Sequence, residues 1–162
     1  MDYQNKPQGT PAAFVKLNQI IHLALLAGQL MFVVLVYAAT PPKGGIIFTF
    51  KNDDIFTYIA LLLAVGGFFL GNFMFKQELN NAANKNTLRE KLLVYQTGLI
   101  KKLALMEGAS MFSIVAFMQT GNLFFLTIAG LIILYFITLR PTKDKVQTDL
   151  SLSYDEQMEM GN

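Results

Sequence analysis

The chain has 162 residues, 53% hydrophobic and 15% charged, with no cysteine and a formal net charge of +2. Soluble domains carry about 25% charged residues, so this composition points to lipid as part of the solvent. The missing cysteines exclude disulfides, thiolate metal sites and thiol catalysis, and so small a charge excess excludes nucleic acid as an expected partner.

A bilayer core of about 30 Å needs about 20 apolar residues in a helix. Four segments approach that length: residues 20–39, 55–75, 103–119 and 122–139. They predict an all-α, polytopic membrane protein of four transmembrane helices in two hairpins, filling residues 16–140. Residues 1–15, with Pro7, Gly9 and Pro11, read as a flexible polar N-terminus. The first apolar run is longer than the 7–15 residues of a signal peptide. Tyr37-Ala38-Ala39 is also a poor cleavage site, so the run reads as a retained helix.

The loop from Thr40 to Asp54 holds Pro41-Pro42, Gly44-Gly45 and the apolar run Ile46 to Phe50. That run is too short to span and reads as an interfacial or strand-like segment. On the second span, Gly67 and Gly71 form the GxxxG spacing that lets helices approach closely, with Gly66 beside them. Gly28 and Gly108 read as helix-packing positions as well. From Glu78 to Lys102, Leu88, Leu92, Leu93, Tyr95, Leu99 and Ile100 recur near helical spacing against Arg89, Glu90, Lys91 and Lys101. This predicts an amphipathic extension of helix three that lies on or leaves the membrane surface. Thr120-Gly121-Asn122 is a turn signal and predicts a tight hairpin between the third and fourth spans. Pro141 ends the fourth helix or opens a short surface helix. The tail 141–162 runs from basic to acidic and reads as solvated.

Orientation follows from the basic residues near the span ends. Lys6, Lys16, Lys76, Lys85, Arg89, Lys91, Lys101, Lys102, Arg140, Lys143 and Lys145 fall on one side, against Lys43 and Lys51 on the other. Both termini are therefore expected to be cytoplasmic, in the cell (inner) membrane. An internal echo accompanies this: Leu23 to Phe32 and Leu103 to Phe112 are identical at six of ten positions, at an offset of 80 residues. The echo would make helices one and three equivalent, both entering from the same side.

Glu107 is the one carboxylate inside the four apolar segments. A charge at the centre of a membrane helix costs about 2.5–3.5 kcal/mol on insertion scales, which makes it a candidate functional residue. At about 1.5 Å per residue, Glu107 lies about 7 Å past Lys102, and Asn72 about 6 Å before Lys76. In register with helix three, His22 falls at the boundary and Gln29 about 10 Å in. Ser110 follows Glu107 by one helical turn on the same face. Buried polar groups need partners, so these residues are expected to share a hydrogen-bonded cluster. It has three readings. One is structural: Asn72 and Gln29 hold helices together while Glu107 reaches Lys101 or Lys102 or is protonated. Another makes Glu107 a proton or cation site modulated by His22. The last is a pocket for an amphiphile.

A single His with no second His or Cys supplies no metal-ligand set. There is no GxSxG, Walker loop or dinucleotide fingerprint. The chain is expected to be a non-enzyme without cofactor, partnered by the bilayer and by a second copy or a membrane-protein complex.

Ala104-Leu105-Met106-Glu107-Gly108, followed by Ile114-Val115-Ala116-Phe117, resembles the carboxylate helix of the proteolipid ring subunits of rotary ATPases. The length, the four helices and the internal echo are also similar to the doubled, vacuolar-type proteolipids. The resemblance implies that Glu107 is the ion-carrying carboxylate of a rotor. The chain departs from that family in its sparse glycines on helix one and in carrying the acid on helix three, near the cytoplasmic boundary.

Overall fold

The computed structural model describes residues 10–40, 48–50 and 54–160. The expectations for residues 1–9 and for the loop residues 41–47 and 51–53 lie outside the described residues. Within them the regular elements are helices: α1 (Pro11–Ala39), α2 (Ile55–Ala83), α3 (Leu88–Thr120), α4 (Leu123–Thr138), α5 (Lys143–Asp149) and α6 (Tyr154–Glu159).

Helix α1 starts earlier than the flexible N-terminus expected for residues 1–15 allows. Thr10 is the reason: its hydroxyl accepts from the Ala13 amide at 3.3 Å, and Pro11 occupies the first turn with its φ already helical. Two described helices, α1 and α2, are each long and apolar enough to cross a membrane. Only 17% of the most apolar window of each is buried inside the fold. Leu62, Phe73 and Val34 are about two-thirds exposed. The apolar surface thus faces outward, as a lipid solvent requires. Helix α4, at 16 residues, is about 24 Å long. It passes the same test only together with α5, from which it is bent by 86°.

Helix α3 is the centre. α2, α4 and α1 all pack against it, α2 most extensively. The α2–α3 hairpin continues past both apolar segments, and the amphipathic stretch is one continuous helix with the third apolar segment. Thr87 caps α3 through a capping box with Glu90, which fixes where the hairpin turns. Glycines let the two helices meet along their length. A Cβ at Gly67 would lie 3.2 Å from the Leu105 carbonyl oxygen and the Met106 methyl, and one at Gly71 3.4 Å from Lys102 Cγ.

The α3–α4 turn is as tight as expected. Gly121 closes α3 at φ +66°, a left-handed position that favours glycine. Asn122 then caps α4 by accepting from the Phe124 amide at 3.1 Å. The same side chain accepts from the Thr49 amide at 3.2 Å and donates to the Thr49 carbonyl at 2.6 Å. One side-chain amide therefore substitutes for a rung of sheet and pins Phe48 to Phe50 over the turn, where Phe48 and Phe50 meet Phe124 edge-on.

The tail is docked rather than free in solvent. Val146, Leu150, Leu152 and Met160 are all buried. Their spacing on two short capped helices gives an otherwise polar segment an apolar stripe. Lys91 donates to Glu156 at 2.6 Å, which holds that carboxyl below the usual range. Tyr95, 1% exposed, donates to Asp149 at 3.3 Å. Burial, then the neighbouring Asp149 charge, pushes the Tyr95 phenol well above its ordinary value, so it stays a donor. Burial likewise raises Asp149, against the pull of Lys145, Tyr95 and Lys102.

Candidate functional site

The buried face of α1 is unusual in being polar. Val15, His22, Gln29 and Val36 repeat every seven residues, with Asn18 beside them, and all five are buried. That spacing keeps one seam facing its neighbours along a pair of near-parallel helices. Tyr37 stacks on Phe117 with ring centroids 6.2 Å apart, which fixes the register of α1 against α3 at an offset of 80 residues. The sequence echo has the same offset.

Gln29 and Ser110 are fully enclosed. Neither amide atom of Gln29, nor the Ser110 hydroxyl, has a hydrogen-bond partner among the described residues. An unsatisfied buried polar group costs about 1–3 kcal/mol and calls for an explanation. Glu107, one turn before Ser110, sits at the edge of this seam and is partly exposed. Among the described residues it makes no ion pair or hydrogen bond.

The shared cluster expected from the sequence is not formed, because its members are rotated toward different helices. His22 Nε2 lies 2.8 Å from the Phe136 carbonyl oxygen of α4, and its ring stacks on Phe136 at 5.0 Å. Asn72 donates to the Phe68 carbonyl at 2.7 Å and to the Tyr135 hydroxyl at 3.3 Å, joining α2 to α4. The partners expected for Glu107 are also occupied elsewhere. Lys101 pairs with Glu78 on α2 at 2.5 Å. Lys102 is buried, its ammonium 5.2 Å from the centroid of Phe75 and 5.7 Å from that of Tyr135. These ring faces attract a cation.

Tyr135 escaped the sequence reading, which also took Tyr95 only as part of an apolar stripe and Lys102 only as a partner within reach of Glu107. Lys102 looked like a boundary lysine no different from Lys101. Its spacing held the signal: seven residues after Tyr95 and four before Met106, it belongs to the buried stripe of α3.

Helices α1 and α2 pack on either side of α3 but touch each other far less than either touches α3. α3 also keeps an open face, with Ile100, Ala104, Gly108, Val115 and Met118 exposed. A Cβ added at Gly28, Gly66 or Gly108 would meet nothing within 4 Å. Gly67 and Gly71 are therefore close-approach positions within the chain. Gly28 and Gly108, expected as packing positions, have no such neighbour within it, since the α1–α3 contact falls on other faces of both helices.

No protein-family model, curated protein or solved structure matches this chain.

Proposed function

We propose that this chain is a four-span membrane protein with both termini cytoplasmic, acting without catalysis as an accessory or assembly subunit through helix–helix contacts. The observation that carries the reading is the open face of α3, which includes Gly108, where an added Cβ would meet nothing within 4 Å. Transmembrane helices associate through van der Waals contact where small residues allow the backbones to approach. Among the described residues this face of the central helix is left without a neighbour. The cation balance and the two lipid-facing helices support the topology; α3 and α4 would supply the third and fourth crossings.

The reading predicts that native mass spectrometry in mild detergent recovers a complex, with a second copy or another membrane protein. Gly108→Leu is expected to shift that population to monomer while leaving the thermal unfolding of the monomer in place. A wild-type protein that is strictly monomeric with nothing bound would end this reading.

A second reading, a proton- or cation-coupled carrier using Glu107, is favoured by Ser110, one turn after it, and by Gln29 on α1, both buried without hydrogen-bond partners among the described residues. The resemblance to proteolipid ring subunits belongs to the same reading. Dicyclohexylcarbodiimide, which modifies protonated carboxyls in membranes, is then expected to label Glu107 in a pH-dependent way. Glu107→Gln should abolish ion flux in proteoliposomes. Flux through the wild type equal to that of empty vesicles would remove it.

A further inference from the structure

A cleft of about 370 Å³ lies between α1 and α4, at the end of the bundle near the start of α1 and the end of α4. Its lining is graded. Lys16 and Arg140 stand at one end, and Leu23, Leu26 and Ile137 line the rest. Lys16 and Leu26 are separated by ten residues of α1, about 15 Å of helix. Because α4 runs the opposite way, Ile137 also lies deeper than Arg140. Charge and apolar surface are therefore arranged in the order that a phospholipid presents its phosphate and its acyl chain.

The walls of this cleft are fixed. Gln19 donates to the Pro141 carbonyl at 2.9 Å across its rim, and His22 is held to the Phe136 carbonyl at its floor. Both cations are exposed, and neither has an ion pair or hydrogen bond among the described residues. Two unpaired cations above an apolar slot suit a headgroup of net negative charge better than a zwitterion. A free phosphate would use only the basic end and leave the apolar lining unexplained.

We infer that this α1–α4 cleft is a binding site for one anionic phospholipid, its phosphate between Lys16 and Arg140 and an acyl chain along Leu23, Leu26 and Ile137. The inference rests on the membrane reading above but not on the open face of α3 or on Glu107. A basic side chain near an anionic headgroup contributes about a fivefold preference, so two are expected to give about 30-fold.

The test is titration of the purified full chain in detergent with phosphatidylglycerol or phosphatidylcholine, counting retained lipid by native mass spectrometry. Phosphatidylglycerol is expected to bind at one site about 30-fold more tightly. Lys16→Gln combined with Arg140→Gln should erase that preference, while Lys85→Gln, on the distant α2–α3 turn, keeps it. Thermal unfolding of the double variant in phosphatidylcholine, unchanged from the wild type, shows that folding is intact. Arg140→Lys offers a second probe that retains the charge. Equal binding of the two lipids, or a preference that survives the double substitution, overturns the inference. So does competition by inorganic phosphate at concentrations matching the lipid, which would mark a free-anion site. The two readings fail differently. If alkaline carbonate releases the chain from vesicles, the membrane reading falls too; if the chain stays inserted without lipid preference, only the cleft proposal does.

Discussion

Valine at Gly98 is expected to destabilise the bundle by about 3 kcal/mol, the upper end of the usual cost of overpacking a close contact. A Cβ at that position would lie 2.9 Å from Glu78 Cβ and 3.2 Å from both Glu78 Cγ and a Phe75 ring carbon. Glu78 Cβ is the root of its side chain and cannot swing away, so α2 must move off α3. That movement would also separate Glu78 from Lys101 and Phe75 from Lys102 and Tyr95. Alanine separates the two terms. It adds the same Cβ but gains about 1 kcal/mol of helix propensity over glycine, so its net cost should be nearer 1 kcal/mol. Alanine at Gly28, where an added Cβ meets nothing within 4 Å, should keep that gain of about 1 kcal/mol uncancelled. Thermal unfolding in one detergent would rank the three. A Gly98→Val protein as stable as the wild type would mean that α2 and α3 do not approach as described.

The second large effect is expected at Tyr95. Truncating a buried aromatic to alanine costs about 3–5 kcal/mol through lost contacts and the cavity left behind. Tyr95 is among the largest fully buried side chains, packs edge-on against Phe75 at 5.5 Å, and donates to Asp149 at the end of α5. Tyr95→Ala should therefore loosen the α2–α3 extension and free the α5–α6 tail together. Trypsin should then cut at Lys143 and Lys145 faster than in the wild type. Tyr95→Phe removes only the hydrogen bond and should cost about 1 kcal/mol, with a correspondingly smaller gain in cleavage. Equal cleavage of all three proteins would show that the tail is not held by this residue. The contrast between the two halves of the molecule has a physical basis. Around Tyr95 burial removes apolar surface from water. Along the lipid-facing stretches hydrocarbon replaces hydrocarbon, and only close packing and hydrogen bonds distinguish neighbours.

Much of the local structure was legible in the residues. Gly121-Asn122 gave the tight α3–α4 turn because one residue must adopt positive φ and the next must satisfy free amides. Pro141 marked the end of α4, and the GxxxG spacing of Gly67 and Gly71 marked a close approach. The tail was misjudged because its four buried apolar residues are spread over fifteen positions, Val146 to Met160, and two short helices. No single window there has the periodicity of an amphipathic helix. The start of α1 was missed for the opposite reason: Thr10-Pro11 is a helix-start signal that looks like loop composition when proline is counted rather than placed.

By itself the sequence determined that the chain is helical, that its first two long helices can cross a membrane, and where the third turns into the fourth, because these depend on apolar run length and on a few capping residues. Only the tertiary structure decided which polar side chain meets which. Lys101 and Lys102 differ by one position, yet a rotation of about 100° about the helix axis sends one to a part-buried ion pair and the other toward two rings. The same rotations send His22 to Phe136 and Asn72 to Phe68 and Tyr135, and leave Gln29 and Ser110 without hydrogen-bond partners among the described residues. A helix has no inside until its partners are in place, and the one-dimensional pattern of an apolar helix does not name them.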